Sequence, residues 1–260
     1  MEKTVFGGGR NGLNNRVVTP EEWLIARKQL LVKEKELTRR RDQLNAERRE
    51  LPWVMIDKDY VFEGPDGKVT LAGLFGKHSQ LVIRHFMFGP EWKEGCPGCS
   101  FAADNMEGSL IHLDNHDISY VTVSRANIGQ IEAFKKRMGW GGRWVSSLDN
   151  DFNYDFHVSF TADAVKSGQA YYNYTVQNVG IDERDGVSVF YRDDNGDIFH
   201  TYSTFGRGSE ELLATYMLLD LTPKGRNELN DQRDWVRHHD KYKEVPADSC
   251  CHSQKGTVRP

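Results

Sequence analysis

Two cysteines separated by a proline and a glycine lie where a buried strand and its loop are followed by a helix. The apolar run 81–86 predicts the strand, and the helical pattern 97–113 begins within the Cys96-Pro97-Gly98-Cys99 motif. Side chains three residues apart at a helix start are neighbours, within reach of a disulfide bond. A Cys-x-x-Cys motif at such a junction is far more specific than an isolated one, and it limits the folds that the chain can adopt.

The elements that follow the motif alternate between strand and helix and end in a hairpin. In chain order they are a strand at 118–123, a helix at 128–138 stopped by Gly139, a short strand at 144–147, strands at 187–191 and 198–202 around an Asn195-Gly196 turn, and a helix at 210–221. Parallel βαβ units followed by an antiparallel hairpin and a closing helix form the thioredoxin arrangement. We therefore predict an α/β, thioredoxin-like fold, with a central mixed sheet flanked by helices and a long N-terminal helical arm.

The arm begins at a strong helix start signal. Thr19 can cap the helix, Pro20 suits its first position and Glu22 completes a capping box, and no helix breaker follows until Pro52. Apolar side chains recur at every seventh residue, namely Trp23, Leu30, Leu37, Leu44 and Leu51. A coiled coil needs two apolar positions per heptad, so this thin stripe is expected to pack on the chain's own domain or on a partner. We expect a homodimer through this helix.

The chain has 260 residues and a formal net charge of −4, which gives no electrostatic case for nucleic-acid binding. No apolar run approaches the length of a membrane span, and the segment Met1–Arg10 has no apolar core of a secretory signal. We therefore predict a cytoplasmic protein that binds neither nucleic acid nor membrane. The expected organisation is a flexible N-terminus (1–18), a helical arm (19–51), a thioredoxin-like domain (52–222) and a charged C-terminal extension (223–260).

In a reducing compartment, closely spaced cysteines suggest redox or metal chemistry. Cys96 would lie at the helix N-terminus, where free N–H groups and the helix dipole stabilise a thiolate. Lys93 would add to this effect, whereas Glu91 and Glu94 would oppose it. Cys99 lies one turn further along and would be shielded. We predict that Cys96 and Cys99 are the catalytic residues of a thiol–disulfide oxidoreductase, or a thiol peroxidase-like enzyme, with a small-molecule or protein thiol or disulfide as substrate.

An alternative from another class is a protein that binds copper or another soft metal ion through Cys96, Cys99 and His85. His85 would then lie beneath the motif's helix, although we favour the interpretation of His85 as a core histidine. A third possibility is a scaffold whose long arm mediates oligomerisation. For the redox function no cofactor is predicted.

Further candidate residues lie outside the motif. Arg125 follows a strand at the carboxyl edge of the sheet, where ligands of α/β proteins bind, and could hold an anionic substrate or form a structural ion pair. We predict Trp92 and Arg125 as substrate-binding residues. His238 and His239 are expected at the surface, and the Cys250-Cys251-His252 group is expected to be dispensable.

Long specific strings show that the chain resembles the bacterial DUF899 proteins, a thioredoxin-like family, over about residues 19–245. These strings are Lys33–Arg39, Leu51–Val54, His85–Trp92, Gly95–Cys99, Ala103–Asn105, Phe152–Phe156, Ser188–Asp193 and Trp235–Asp240. The resemblance implies a thioredoxin-like fold and a dithiol function carried by Cys96 and Cys99.

Two departures from better-known thiol enzymes accompany this resemblance. Ordinary thioredoxins have a cis-proline facing the motif, but no proline occurs here between Pro97 and Pro223, so the corresponding place near 185–187 has none. The Pro-x-x-x-Thr-x-x-Cys motif of peroxiredoxins is also absent. More room is therefore expected beside the thiols for a peroxide, a small disulfide or a metal.

Overall fold

A computed structural model describes residues 15–228 and 233–244. The helices are α1 Pro20–Arg49, α2 Leu71–Leu74, α3 Pro97–Met106, α4 Leu110–Asn115, α5 Ile128–Met138, α6 Phe152–Asp155, α7 Ala162–Ser167 and α8 Ala214–Leu219. The strands are β1 Val54–Met55, β2 Val61–Gly64, β3 Gly67–Thr70, β4 Gln80–His85, β5 Ile118–Ser124, β6 Arg143–Ser146, β7 Ala170–Tyr172, β8 Thr175–Gln177, β9 Gly186–Arg192 and β10 Ile198–Phe205. Short 3-10 segments occupy Glu107–Ser109, Gly206–Leu212 and His239–Glu244. Within this described part, no helix is long and apolar enough to cross a membrane.

Eight strands form one sheet in the order β1-β10-β9-β4-β5-β6-β2-β3, and β7 and β8 form a separate hairpin. Strands β4, β5 and β6 are parallel, whereas β9 runs antiparallel to β4 and pairs with β10. Helix α3 connects the parallel strands β4 and β5, and α8 follows the β9–β10 hairpin. The predicted thioredoxin-like fold is therefore confirmed.

Helix boundaries follow the local signals in the sequence. At the start of α1, the Thr19 hydroxyl accepts a hydrogen bond from the Glu22 N–H, and the Glu22 carboxylate accepts one from the Thr19 N–H. At the end of α5, Gly139 adopts the left-handed conformation with φ 68°, which ends the helix where it was predicted. Short-range capping interactions thus set both ends.

The long arm α1 has no buried residue. Its apolar stripe is open: the exposed fractions of the five side chains range from 45% at Leu51 to 60% at Leu37. In the described part of the chain, an Arg41–Glu211 ion pair at 3.4 Å joins the arm to the domain, and the Arg48 guanidinium lies 4.9 Å from the centre of the Tyr202 ring. The stripe is therefore not packed on the chain's own domain.

The two faces of the sheet carry different cores. On one face, Leu81 and Ile83 of β4 pack with aromatic side chains that include Phe152 of α6. On the other face, Phe86 packs with Cys99 and with residues of α5, together with Trp140 and Trp144. The functional site lies on this second face, at the start of α3.

Candidate functional site

The two cysteines stand at the N-terminal end of α3, directly after the loop that follows β4. Cys96 is the residue that caps the helix, and Pro97 is its first helical residue. The Cys96 carbonyl accepts the first helical hydrogen bond from the Ser100 N–H at 2.9 Å, and the Cys96 N–H donates to the Met87 carbonyl at 3.0 Å. The second hydrogen bond joins the motif to the segment that directly follows β4.

Both cysteines are free thiols and they differ in access to solvent. Cys96 is half-buried, whereas Cys99 is 2% exposed. A hydrogen bond from the Cys99 thiol, together with the N–H groups of Gly98 and Cys99, lowers the pKa of Cys96 to about 6 against the opposing effect of burial. The hydrogen bond to Cys96 and burial raise the pKa of Cys99 well above its ordinary value. The pair therefore holds one proton, on the shielded sulfur.

A buried ion pair lies beneath the shielded thiol. The Arg84 Nη2 atom is 3.1 Å from the Asp185 Oδ2 atom, and the charge of the Arg84 guanidinium acts to lower the pKa of Cys99. The Met87 N–H points at the same sulfur, 3.5 Å away. A thiolate formed at Cys99 would meet a positive charge and an N–H donor.

The Arg84–Asp185 ion pair was not predicted from the sequence. Asp185 directly precedes β9. It lies in the region 185–187, where ordinary thioredoxins have their cis-proline and this chain has none. Arg84 interrupts an apolar strand, and a charge in such a run is a signal, because buried arginines require a partner. The partner is 101 residues away and has no local signature.

The C-terminal segment 233–244 lies against the loop that leads to Cys96. The His238 Nε2 atom is 2.8 Å from the Gly95 carbonyl oxygen. The Glu94 carboxylate is held by Lys241 at 2.9 Å and by Arg137 at 2.8 Å, and these bonds lower its pKa. Both cations offset the charge with which Glu94 was expected to oppose a thiolate.

The expected surface position of His238 is wrong, since its side chain is 2% exposed. His238 is buried because the segment folds back onto the loop before α3 and onto α5, where the His238 and Phe134 rings make an edge contact at a centroid distance of 5.4 Å. His239 is exposed, as expected, and its Nδ1 atom lies 2.8 Å from Asp104.

Of the two residues expected to bind substrate, Arg125 lies in a structural ion pair and Trp92 lies beside the core next to Cys96. Arg125 forms an ion pair with the buried Glu183 at 3.1 Å, and its guanidinium lies 4.7 Å from the centre of the Tyr154 ring. Burial raises the pKa of Glu183 to about 7. Arg125 is thus engaged in the ion pair that the sequence left open. Trp92 is half-buried and packs against the core cluster that also borders Cys96.

His85 is not brought together with the cysteines. Its ring points to the opposite face of the sheet, stacked on Phe152 at a centroid distance of 5.7 Å, with Nε2 2.8 Å from the Ser188 hydroxyl. The alternative in which His85 lies beneath α3 is therefore wrong, because Arg84 takes the face that α3 covers, and His85 is a buried core residue as the favoured interpretation had it. Burial lowers the pKa of His85 to about 3.

The copper alternative with Cys96, Cys99 and His85 thus has no assembled ligand set. Across residues 15–228 and 233–244, no group of three histidine, cysteine or acidic side chains is placed to hold a metal ion. Cys250, Cys251 and His252 lie outside the described residues, as does most of the N-terminus predicted to be flexible.

Several solved structures are similar to this chain. A peroxidoxin BcpB from Mycobacterium tuberculosis is 12% identical, with a TM-score of 0.43, and the match covers 64% of this chain and 95% of that one. For a peroxiredoxin Q from Xanthomonas campestris the identity is 16%, the TM-score 0.41 and the coverages 60% and 87%. A putative thiol:disulfide interchange protein DsbE from Chlorobium tepidum is 17% identical, with a TM-score of 0.34, and the match covers 66% of this chain and 99% of that one.

No protein of curated function matches the sequence. The family model described as bacterial protein of unknown function (DUF899) matches residues 13–242, which is most of the chain. The strings that suggested the resemblance lie within this match. The chain therefore belongs to the DUF899 family.

Proposed function

We propose that this chain is a thiol–disulfide oxidoreductase in which Cys96 attacks the substrate and Cys99 resolves the intermediate. The observation that carries the proposal is the asymmetry of the pair. A partly exposed sulfur with a pKa lowered to about 6 belongs to the residue at the N-cap position of α3, and a shielded sulfur that keeps its proton lies one turn away. Reactive thiolates are found in such partly exposed, N–H-rich positions.

The reaction consumes one dithiol and reduces one disulfide. The Cys96 thiolate bonds to one sulfur of the substrate disulfide, the substrate S–S bond breaks, and the other sulfur leaves as a thiolate. Cys99 then loses its proton and attacks the Cys96 sulfur, which forms the Cys96–Cys99 disulfide and expels the second substrate thiolate. The substrate gains two electrons, and its two thiolates take up the proton released by Cys99 and one proton from water. An external dithiol returns the protein to its reduced form.

Arg84 supports the second half of this cycle. Its positive charge lowers the pKa of Cys99 against the effects of burial and of the neighbouring thiolate. Once Cys96 is bonded to substrate, that thiolate is gone, so the guanidinium can favour ionisation of Cys99 as it attacks. Asp185 holds the guanidinium in place.

A trapping experiment tests the proposal. We expect Cys99→Ser to accumulate a mixed disulfide at Cys96 with hydroxyethyl disulfide, because attack survives and resolution does not. Replacement of Cys250 and Cys251 by serine in every variant keeps the readout specific, and Cys96→Ser is the control that forms no adduct. Mass spectrometry before and after reduction measures the adduct. A Cys99→Ser protein that captures no thiol would refute the function.

We also propose that the protein is a homodimer through α1 and that it resides in the cytoplasm, where thiols stay reduced. A 30-residue helix is about 45 Å long, and its stripe is exposed along the whole length. Exposed Trp53, Val54 and Met55 extend the apolar surface onto the edge strand β1. An apolar surface of this size is typical of an interface.

Light scattering tests the dimer. The Leu30→Glu/Leu37→Glu variant should have the mass of a monomer, because charge on the stripe prevents its burial. Lys28→Glu/Lys35→Glu has the same spacing on another side of the helix and should keep the dimer mass. A monomeric wild type would contradict the proposal.

A further inference from the structure

A cationic side chain shares a gap with the reactive sulfur. Gly98 has no side chain, and a methyl group built there would lie 3.3 Å from the Arg233 Nη1 atom and 3.7 Å from the Cys96 Sγ atom. The guanidinium and the nucleophile therefore border the same small space. Arg233 is half-buried at this place, and it comes from the C-terminal segment rather than from the motif.

The backbone of Arg233 is held firmly in an unusual conformation. Its φ of 65° is left-handed, which non-glycine residues rarely adopt. The Arg233 N–H donates to the Glu228 carboxylate at 2.8 Å, and the Arg233 carbonyl accepts from the Val236 N–H at 2.9 Å. Val236 in turn is buried against Phe101 of α3. The segment is thus anchored to the helix whose first residues carry the thiols.

Among residues 15–228 and 233–244, carboxylates near Arg233 are bound by groups other than its guanidinium. In the part of the chain that the structure describes, no acidic group forms an ion pair with the Arg233 guanidinium. Glu228 binds the backbone of Arg233, Asp185 is paired with Arg84, and Glu94 is paired with Arg137 and Lys241. The guanidinium can therefore accept an anion that enters the gap.

We propose that Arg233 makes this site selective for low-molecular-weight disulfides that carry a carboxylate close to the sulfur that Cys96 attacks. This inference rests on the proposed function. An attacked sulfur must contact Cys96 Sγ, so its substituents fall within reach of the guanidinium. Arginine binds carboxylates through paired charge-assisted hydrogen bonds, and a carboxylate one carbon away from the attacked sulfur stays within a few bonds of it.

The reaction is the exchange described above, and Arg233 takes no electrons or protons in it. It attracts the substrate anion and orients the adjacent sulfur toward Cys96. Arg233 is therefore a specificity-determining residue, whose effect depends on the charge of the reagent.

Two alkylating agents of similar size, iodoacetate and iodoacetamide, isolate that charge. Rates at Cys96 are measured by mass spectrometry at pH 8, where the thiolate is fully formed, in protein with serine at positions 250 and 251. We expect Arg233→Gln to lower the ratio of iodoacetate to iodoacetamide rates about three- to tenfold, the size of one lost charge contact. Arg233→Lys should retain part of the ratio. Lys136→Gln removes an exposed charge elsewhere and should leave the ratio unchanged.

Disulfide substrates provide the second readout. Wild type should reduce dithiodiglycolate faster than hydroxyethyl disulfide and both faster than cystamine, and Arg233→Gln should remove this order. Thermal midpoints of the variants check that each is folded. An unchanged rate ratio in Arg233→Gln, or an equal change in Lys136→Gln, would overturn the role of Arg233 alone. Failure of iodoacetamide to label wild-type Cys96 would instead overturn the proposed function, and this inference with it.

Discussion

At the scale of single residues, one proton shared between two sulfurs defines the site. Cys99 keeps this proton and donates it in a hydrogen bond to the Cys96 sulfur. That hydrogen bond lowers the pKa of Cys96 and raises the pKa of Cys99. The N–H groups at the start of α3 then act on the accessible sulfur, while Arg84 acts on the buried one. Small changes at either sulfur should therefore appear in the titration of the other.

The pH dependence of Cys96 alkylation follows from this coupling. The rate with iodoacetamide should rise with pH as the thiolate forms, with a midpoint near pH 6 rather than the value of about 8.5 for a free cysteine. Cys99→Ala removes the hydrogen-bond donor and should move the midpoint upward. Mass spectrometry of the labelled peptide between pH 5 and pH 9 measures both. A wild-type midpoint near 8.5 would contradict the assigned electrostatics.

His85 should make the protein sensitive to acid. Its pKa is about 3 in the fold and about 6.5 in the unfolded chain, so the unfolded state binds a proton first as the pH falls. The stability due to a neutral His85 is complete above pH 6.5 and declines below it by about 1.4 kcal/mol per pH unit.

The comparison of wild type with His85→Gln isolates this effect. The raised pKa of Glu183 acts in the opposite direction between about pH 7 and pH 4.5, but it is common to both proteins. Any advantage of wild type in thermal midpoint at pH 7 should shrink toward pH 4.5. A constant difference between the two would mean that His85 is not the titrating group.

At the scale of elements, the C-terminal segment completes the site that α3 begins. Segment 233–244 buries Val236 against Phe101 and Tyr216 and brings His238 to the loop before Cys96. Neither contact could form if the segment were a solvent-exposed extension. The segment therefore supports the position of the motif from outside the sheet.

Loss of packing in this segment should have a local effect on exchange. Val236→Ala removes buried methyl groups and should lower the free energy of unfolding by on the order of 1–2 kcal/mol. Hydrogen exchange should become faster at 233–244 before it does in β4. Leu221→Ala, at a side chain that is 82% exposed, is the control and should change stability by less than about 0.5 kcal/mol. Equal effects of the two variants would argue against the anchoring role.

At the scale of the whole molecule, the sheet separates the two thiols from the largest aromatic core. Phe152, Phe156 and Phe190 pack together on the face away from α3. The thiols, Arg84 and the C-terminal segment lie on the other face. Stability and reactivity therefore depend on different sets of side chains.

This separation predicts that the two properties can be changed independently. Phe152→Ala should lower the free energy of unfolding by about 3–5 kcal/mol through the cavity that it leaves. The midpoint of Cys96 alkylation should stay at its wild-type value under conditions in which the variant is folded. Urea denaturation and alkylation rates measure the two quantities. A large shift of the midpoint would show that the sheet does not insulate the site.

Much of the architecture could be predicted because its signals are local. Thr19 and Gly139 define helix ends through hydrogen bonds within a few residues. The Asn195-Gly196 turn joins two strands whose sequences are rich in apolar residues. The position of Cys96 at a helix start follows from the same kind of pattern. Capping, turn geometry and periodicity act over a few residues, so the sequence by itself determined the elements and the motif's place among them.

The environment of the motif was decided only by tertiary structure. Arg84 and His85 are adjacent in β4, and strand alternation puts them on opposite faces, but only the packing of α3 selects Arg84 as the neighbour of the thiols. Asp185 and Arg233 reach the site from distant parts of the chain. Such contacts depend on which surfaces the folded elements bury together. The free energy of this burial is shared among residues that have no common local pattern in the sequence.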